Sequence, residues 1–518
     1  MGKLRTAAEL AKSRTRLGYN SIEDSTRRRT TTKRTSNEGY VLTARKREIA
    51  SATVREDRRN FTLLAWMVRR HLDNVSRFTP HFRVPGATDE AKALTRITNR
   101  LLYWHGKRRN FDALGRHSRD EWMRYFEACK IIGGDCGGVK VQGGKMQGIE
   151  PDRIAKPAAI DSKAVSQNVQ NSVTDSGIAF NEAGQRVAFM VCKRTPDGTS
   201  LEFERMVPAD LMEFDGYWPE RFDADRGVSP LLTALNEGAD VREVWEWHIL
   251  KVKAAGIFGF AFKREGSDEM LPTQGETLES DGASADEGTS YSQQVANGIK
   301  ARGILNLDLD PGDDVHAIES SSPNPQIVPF TRELIRCVLL ALDIPFTFYD
   351  SLTASFSARI ADRNEYEESC EWKRDKNSDV LDGIYGGWLF PVWATANLFG
   401  FGDALRKAKI EPEEAGAMLR WVPAGRPWLD RTNEMSGHIL ALTAGVTSTP
   451  RICATYGDDA YDIAEEQREY LERAGQPLLY ANGGQQAVQA IMAGMAPAKR
   501  ADEKPADDVD EDDNEGAK

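Results

Sequence analysis

Apolar residues change their spacing along this chain, and that change restricts the fold to a mixture of helices and short strands. Between residues 60 and 132 they recur every three or four positions, as in Phe61, Leu64 and Met67, which predicts helices. From Val139 onward they alternate with polar residues in short runs separated by Gly and Asp, which predicts β-strands. The 518 residues suffice for several domains of roughly 100–200 residues each. We therefore expect an α+β protein.

Later segments carry clear helix signals. Ser229 is a suitable N-cap with Pro230 at the first helical position, so a helix of about 25 residues is expected there. Residues 331–343 form an amphipathic pattern that Pro345 ends. Residues 357–382 are predicted to form a long, charged helix.

The middle of the chain combines strand signals with an acidic insertion. The segment GIFGFAFKR predicts a strand, and residues 303–310 predict another that ends at the Pro311-Gly312 turn. Residues 265–299 hold eight acidic residues, no Lys or Arg, and many Gly, Ser and Thr, so a flexible insertion is expected. Past Trp421 the pattern is helical again.

The net charge of −11 conceals two ends of opposite charge. Residues 1–59 carry 16 Lys and Arg against 7 Asp and Glu, whereas residues 501–518 carry 9 acidic residues against 2 basic ones. Neither segment has enough apolar residues to fold alone. We expect a basic flexible arm, which either contacts nucleic acid or an acidic partner or is simply solvated, and an acidic disordered tail.

Familiar catalytic and metal-binding patterns are absent from the sequence. The segment GGDCGGVKVQGGK has Val139 and Met146 where a phosphate-binding loop requires Gly and Ser or Thr, so a hairpin is the better interpretation. Seven scattered histidines match no zinc-binding spacing, and no G-x-S-x-G motif supports a serine nucleophile. No cofactor and no metal are expected.

Membrane and disulfide-rich classes are also disfavoured. The longest apolar run has nine residues, Ala254 to Phe262, which is too short to span a bilayer, and the N-terminal residues lack the apolar stretch of a secretory signal. We therefore expect the protein to stay in the compartment where it is made. Six cysteines without a C-x-x-C pair indicate ordinary buried thiols in a reducing compartment.

Several short motifs follow one another in an order that is typical of one protein family. They are Phe111-Asp112-Ala113, Gly133-Gly134-Asp135, Val207-Pro208-Ala209-Asp210, Arg226-Gly227-Val228-Ser229-Pro230, Leu309 to Asp313, Leu342-Asp343-Ile344-Pro345, Trp421-Val422-Pro423 and Leu429-Asp430-Arg431. In this order and spacing, residues 60–476 resemble the bacteriophage portal proteins of the lambda family. The chain departs from the family pattern at residues 353–357, where Phe356 replaces the tyrosine of a serine-tyrosine-serine element, and in the acidic insertion.

The resemblance implies a ring-forming portal subunit with a mixed α/β wing, long stem helices, a small clip and a mainly helical C-terminal crown. Within this plan, residues 256–312 are the candidate clip. The implied regions are a basic flexible N-terminal arm at 1–59, a wing at 60–228, a stem helix and clip at 229–312, second stem or wing helices with a channel loop at 313–420, a helical crown at 421–485 and an acidic disordered tail at 486–518.

The resemblance also implies a function without catalysis. Portal subunits of this family form a ring, usually a dodecamer, at one vertex of the phage capsid, and the ring is the channel for DNA packaging and ejection. The implied partners are further copies of the chain, the terminase large subunit, major capsid and scaffold proteins, head-tail adaptor proteins, and double-stranded DNA without sequence specificity. The implied locations are the virion and, during assembly, the host cytoplasm, and no membrane is involved.

Two segments are candidates for contact with DNA on this interpretation. Polar residues before and within the predicted long helix form a candidate channel loop: Ser351, Thr353, Ser355, Ser357, Arg359 and Arg363. Basic residues of the arm form a second candidate, for DNA or the capsid: Arg27, Arg28, Arg29, Lys33 and Arg34. A channel must let DNA slide, and an acidic chain whose folded part lacks a basic stripe with interleaved aromatic residues suits that role.

Two other functions remain open at the level of sequence. Asp308, Asp310, Asp313 and Asp314 could hold a divalent metal in a phage nuclease or hydrolase, although acids that flank a Pro-Gly turn are more typical of a solvated strand edge. The basic arm could instead make the chain a nucleic-acid-binding protein with steeply salt-dependent affinity.

Overall fold

The computed structural model describes most of the chain, with gaps. The described residues are 39, 42–86, 88–157, 173–198, 200–218, 221–222, 224–255, 260–264, 313–317, 327–352, 354–425 and 431–474.

Helices dominate the described part of the chain. None of its helices is both long enough and apolar enough to cross a membrane. The α-helices are α1 (Ala44–Asn60), α2 (Thr62–Val75), α3 (Asp89–His105), α4 (Arg108–Phe111), α5 (Arg119–Gly133), α6 (Leu235–Ala255), α7 (Ile327–Leu339), α8 (Phe346–Tyr349), α9 (Phe356–Ile384), α10 (Phe390–Thr395), α11 (Phe401–Ala408), α12 (Pro412–Ala417), α13 (Arg431–Thr443), α14 (Thr449–Thr455) and α15 (Ala460–Ala474).

Short strands form four small sheets in the order β1-β10, β3-β2-β7, β4-β5-β6 and β8-β9. The four strand pairs whose register is resolved, in the first, third and fourth sheets, are all antiparallel. The strands are β1 (Phe78–Phe82), β2 (Asp135–Val141), β3 (Lys145–Ile149), β4 (Ile178–Phe180), β5 (Arg186–Arg194), β6 (Leu201–Pro208), β7 (Met212–Gly216), β8 (Phe260–Arg264), β9 (Asp313–Ala317) and β10 (Leu419–Pro423).

The prediction of a mixed fold of helices and strands is confirmed. The alternating segments coincide with β5 and β6, and β8 falls in the predicted strand GIFGFAFKR. Ser229 caps as predicted, with its hydroxyl accepting the N–H of Leu231 at 3.3 Å, and a 3₁₀ turn at Pro230–Ala234 leads into α6. The predicted long charged helix is α9.

Three expectations need correction. Residues 44–60 of the arm form α1, whose Val54 is fully buried, so a flexible arm cannot extend to residue 59. The first helical region contains the strand β1, and the helical crown begins with β10, which pairs with β1. The insertion at 265–299 and the strand expected before Pro311-Gly312 lie outside the described residues.

The chain divides into two compact units that are interleaved in sequence. The first comprises Met1–His71, Ala128–Gly137 and Ile149–Ser369, and the second comprises Leu72–Glu127, Gly138–Gly148 and Cys370–Lys518. Each of the five points at which the chain passes from one unit to the other falls within a helix or a strand. The boundaries of wing, stem, clip and crown expected from the sequence stay predictions.

The first unit is organised around the buried side chain of Arg226. Its guanidinium forms a two-pronged ion pair with the Asp135 carboxylate, with Nε–Oδ2 and Nη2–Oδ1 distances of 2.7 Å. The remaining N–H groups donate to the carbonyl oxygens of Pro151, Ile154 and Ser176 at 2.7–2.9 Å. All five donors of the guanidinium are therefore satisfied, which is what a buried charge requires.

Two glycines permit this arrangement. Gly134 has φ +96°, and a Cβ atom there would lie 2.3 Å from the carbonyl oxygen of Gly227. A Cβ atom at Gly227 would lie 2.1 Å from the carbonyl oxygen of Gly134. The turn before β2 and the segment before α6 therefore meet backbone to backbone, and any side chain would separate them. The Ser229 hydroxyl strengthens the contact by donating to the carbonyl oxygen of Ile131 at 2.6 Å.

The second unit has an aromatic core around His105. The ring lies within 5.3–5.4 Å of the rings of Phe111, Tyr385 and Trp393. His105 Nε2 lies 2.7 Å from the carbonyl oxygen of Gly144, and Nδ1 lies 3.0 Å from the Tyr385 hydroxyl. Because a carbonyl oxygen only accepts, Nε2 carries the proton and Nδ1 accepts from the hydroxyl.

Replacement of Arg226 by Met should destabilise the first unit strongly. The change leaves the Asp135 carboxylate buried without its cation, a defect that costs about 3–5 kcal/mol of unfolding free energy. Urea denaturation followed by circular dichroism measures the loss as a lower midpoint. Arg108→Met is the matched control, because Arg108 pairs with Glu121 at the surface and its loss should cost about 1 kcal/mol or less. Equal midpoints for the two variants would contradict the conclusion that buried Arg226 stabilises the first unit.

Stability should fall in mild acid because of His105. Burial lowers the pKa of this imidazole from 6.5 to about 4, so between these values the unfolded chain binds a proton that the folded chain does not. The unfolding free energy should therefore decrease by about 1.4 kcal/mol per pH unit as the pH falls through this window. His105→Gln should flatten the dependence between about pH 6.5 and 5, whereas His117→Gln should preserve it. A variant as pH-sensitive as the parent would refute this explanation.

Candidate functional site

The candidate channel loop is exposed and ends in a capped helix. Ser355 lies just before α9, and its hydroxyl accepts the backbone N–H of Ala358 at 3.2 Å. Asp350 fixes the start of the loop by accepting the N–H of Leu352 at 3.1 Å. The serine before Phe356 therefore has a structural role as the N-cap, which the sequence motif alone did not assign.

The loop presents few charges to solvent. Ser351, Ser355, Ser357 and Arg359 are exposed and Arg363 is half-buried, whereas Thr353 lies outside the described residues. The loop also exposes an apolar side chain, since Leu352 is 94% exposed. A surface of hydroxyl and apolar groups with few cations cannot neutralise many phosphates, so any contact with DNA here would be weak.

The basic residues proposed for the arm cannot be placed. Arg27, Arg28, Arg29, Lys33 and Arg34 lie outside the described residues, so their role stays a prediction. The hypothesis that four aspartates between residues 308 and 314 hold a metal concerns a segment that is described only in part. Asp308 and Asp310 lie outside the described residues, and Asp313 and Asp314 belong to β9, at register positions opposite Arg264 and Lys263 of β8.

The second unit carries a basic and aromatic surface that the sequence analysis missed. We call it the α3 end surface, because it lies at the C-terminal end of α3. Its members are Arg100, Tyr103, Trp104, Lys107, Arg109, Arg116 and Phe399.

Contacts within the α3 end surface join cations to rings. The guanidinium of Arg100 lies 5.2 Å from the Phe399 ring centre, and Lys107 Nζ lies 3.9 Å from the Tyr103 ring centre. Trp104 packs edge-to-face on Phe399, with ring centres 5.5 Å apart. Exposed aromatic faces beside cations are suited to binding a polyanion that also carries flat or apolar groups.

Two cations of the α3 end surface are free. Within the described residues, the side chains of Arg109 and Arg116 form no hydrogen bond or ion pair. The one acid in this part of the sequence, Asp112, is buried and accepts the backbone N–H groups of Arg116 and His117. The surface is therefore positive in a chain of net charge −11.

This surface corrects the expectation that the folded part lacks a basic stripe with interleaved aromatic residues. The signal was present in the sequence YWHGKRRN at 103–110. Helical periodicity explains why it was missed, because Leu101, Leu102 and His105 point into the core while Tyr103 and Trp104 point outward. A search for apolar spacing assigns all five residues to the core.

The cysteines provide no disulfide or reactive site. All six are free thiols, and Cys136, Cys192 and Cys370 are buried. Burial raises the pKa of Cys192 to about 11, so this thiol stays protonated and unreactive near neutral pH.

Comparison with known proteins gives one match to a family and several structural similarities. The sequence model of the family described as "Phage portal protein, lambda family" matches residues 25–372, more than half of the chain. No curated protein matches the chain.

The similar solved structures come from particles of a gene transfer agent (GTA) and from a phage protein. The neck of an empty GTA particle computed with C6 symmetry has a TM-score of 0.41 and 13% identity, covering 78% of this chain and 93% of that chain. The neck of a native GTA particle computed with C12 symmetry has a TM-score of 0.39 and 13% identity, covering 80% and 98%. An HK97 family phage portal protein from Corynebacterium diphtheriae has a TM-score of 0.27 and 10% identity, covering 62% and 83%.

If the α3 end surface binds DNA, removal of its two free cations should weaken that binding without affecting stability. For Arg109→Gln/Arg116→Gln, we expect the slope of log affinity against log salt to become shallower by about 2, one unit for each lost phosphate contact. Fluorescence anisotropy with a labelled duplex, repeated over a series of salt concentrations, measures the slope. Lys193→Gln/Arg205→Gln removes the same charge from ion pairs of the first unit and serves as control. If both double variants reduce the slope equally, the change reflects the net charge of the protein and not phosphate contacts of the α3 end surface.

Proposed function

Since this chain belongs to the lambda family of phage portal proteins, whose sequence model matches residues 25–372, we propose that it is the repeating subunit of a portal ring. The ring occupies one vertex of the phage capsid and forms the channel through which DNA enters during packaging and leaves during ejection. The family match carries this proposal. The subunit itself has a structural role and performs no catalysis.

Exposed apolar side chains of the first unit support assembly with further copies. On α6, Val241 lies on the buried face, whereas Trp247 and Leu250 lie on the opposite face and are 64% and 56% exposed. A helix that is apolar on opposite faces is normally buried on both. On α7, Val328 and Phe330 are likewise exposed, although Ile335 is buried.

A closed ring provides partners for such faces. In a ring, one surface of each subunit binds a different surface of the next, and rotation closes the assembly. We propose that α6 and α9 serve as stem or lining helices and that the number of subunits is twelve. Residues 60–228 would form the wing, residues 256–312 the clip, and residues 421–485 the crown.

The partners follow from the same proposal. The terminase large subunit would dock on the clip during packaging, and head-tail adaptor proteins would replace it afterwards. Major capsid and scaffold proteins would surround the ring at the vertex. The loop before α9 would face DNA, because its exposed hydroxyl and apolar groups offer few phosphate contacts and therefore allow sliding.

Native mass spectrometry of the purified full chain tests the proposal. We expect a closed ring of about twelve subunits, and negative-stain images of the same sample should show a central hole. A compact monomer with metal-dependent hydrolysis of DNA would overturn the proposal and favour a nuclease.

A pair of variants tests whether α6 contributes to the ring. Trp247→Glu/Leu250→Glu should shift the mass distribution toward monomers, since charges at an apolar interface are strongly unfavourable. Val187→Glu is the matched control, because Val187 is an apolar residue of β5 in the same unit with a similar exposure of 51%. Intact rings for the α6 variant would exclude α6 from the interface.

A further inference from the structure

Three possible metal ligands converge in the second unit at the start of α15. One ligand atom from each of His81, Asp459 and Asp462 lies within 4.8 Å of the others. His81 belongs to β1, whereas the two aspartates flank the first turn of α15. No sequence motif could reveal this group, because its members are almost 400 residues apart in the chain.

The contact between His81 and Asp459 does not have the geometry of a good hydrogen bond. His81 Nδ1 lies 3.5 Å from Asp459 Oδ2, beyond the usual 2.7–3.2 Å for a nitrogen donor and an oxygen acceptor. Two ligands on one tetrahedral zinc ion, with bonds of about 2.0–2.2 Å, lie about 3.4 Å apart. The observed separation therefore fits two ligands of one ion better than a donor and its acceptor.

The surroundings leave the imidazole without another polar partner. His81 Nε2 is buried and has no hydrogen-bond partner. Asp459 is oriented by its other oxygen, since Oδ1 accepts the backbone N–H of Tyr461 at 2.8 Å. Oδ2 is thereby directed toward the histidine, in the way that a second hydrogen bond usually orients a metal ligand.

The local charge favours a cation. The carboxylates of Asp459, Glu465 and Glu466 lie close to that of Asp462. Like charges crowded in a partly buried place repel one another, and a divalent cation removes this repulsion. Among these acids, Glu465 already has a partner, because Arg96 Nη2 lies 3.3 Å from its carboxylate.

The helix α15 lacks the apolar contacts that usually hold a helix in place. From residue 431 to 474, the only buried residue in the described chain is Ser436. Contacts of α15 with β1, α3 and the residues that follow β1 include an ion pair from Arg96 to Glu465 and the guanidinium of Arg83 over the Tyr461 ring at 3.3 Å. A link from β1 to α15 would therefore add stability where packing supplies little.

We propose that His81, Asp459 and Asp462 bind one divalent transition-metal ion, with Zn²⁺ as the best-suited ion, and that the ion fastens α15 to β1. One imidazole nitrogen and two carboxylate oxygens are ligands that zinc accepts. Three protein ligands leave a fourth position for water. The role is structural, so the proposal is independent of whether the chain forms a ring.

Isothermal titration of the chelator-treated full chain with Zn²⁺ tests the proposal. We expect one ion per chain, an increase in thermal midpoint on binding, and at least a tenfold loss of affinity in His81→Gln. Co²⁺ serves as a second probe, because its visible absorption reports coordination by protein ligands directly. His117→Gln, which changes a histidine whose ring packs at 57° to that of Tyr125 in the same unit, should bind zinc as the parent does.

A variant at an exposed ligand distinguishes loss of zinc binding from a defect in folding. Asp462→Asn changes an exposed ligand and should reduce affinity as His81→Gln does, whereas Glu472→Gln on the same helix should not. Zinc binding of equal affinity in the parent, His81→Gln and Asp462→Asn would overturn the proposal. The same conclusion follows if the parent binds no ion and its thermal midpoint is unchanged by zinc.

Discussion

The ion pair between Arg226 and Asp135 is the interaction on which the first unit depends. It links the turn before β2 to the segment before α6, and its extra hydrogen bonds reach three carbonyl groups between Pro151 and Ser176. A buried ion pair is rarely worth much in stability by itself, but removal of one partner is costly. Its contribution here is to fix the path of three chain segments relative to one another. The close approach of Gly134 and Gly227 explains why the motif needs glycine beside the charge.

Local patterns in the sequence were sufficient to predict elements whose stability is local. β5, β6, the cap at Ser229 and α9 all follow from residues that are neighbours in the chain. The pairing of β1 with β10 could not be predicted in this way, because each strand has five residues and their partners lie more than 300 residues away. The helix α1 was missed because its many charges are typical of a solvated segment, and only Val54 is buried.

The candidate sites likewise differ in whether their residues are neighbours in the sequence or come together only in the folded chain. The loop before α9 was predicted from its polar residues and the helix that follows, and the structure adds that Ser355 is the cap. The α3 end surface was visible in the sequence but hidden among core positions of the same helix. The histidine-aspartate group joins β1 to α15 and exists only in the folded chain. The acidic insertion and the candidate basic residues of the arm, at positions 27–34, lie outside the described residues, so their roles remain predictions.

The pairing of β1 with β10 also means that β1 must wait for its partner while the protein is being synthesised. Residues 83–418 separate the two strands, so at about 5–20 residues per second roughly 20–70 s pass before β10 leaves the ribosome. During that interval the edge of β1 has no partner and is open to pairing with other nascent chains. Pro80, in the middle of β1, has no N–H to offer and makes that edge a poor template. A strand interrupted by proline is a weaker template for such pairing than an uninterrupted strand of the same length.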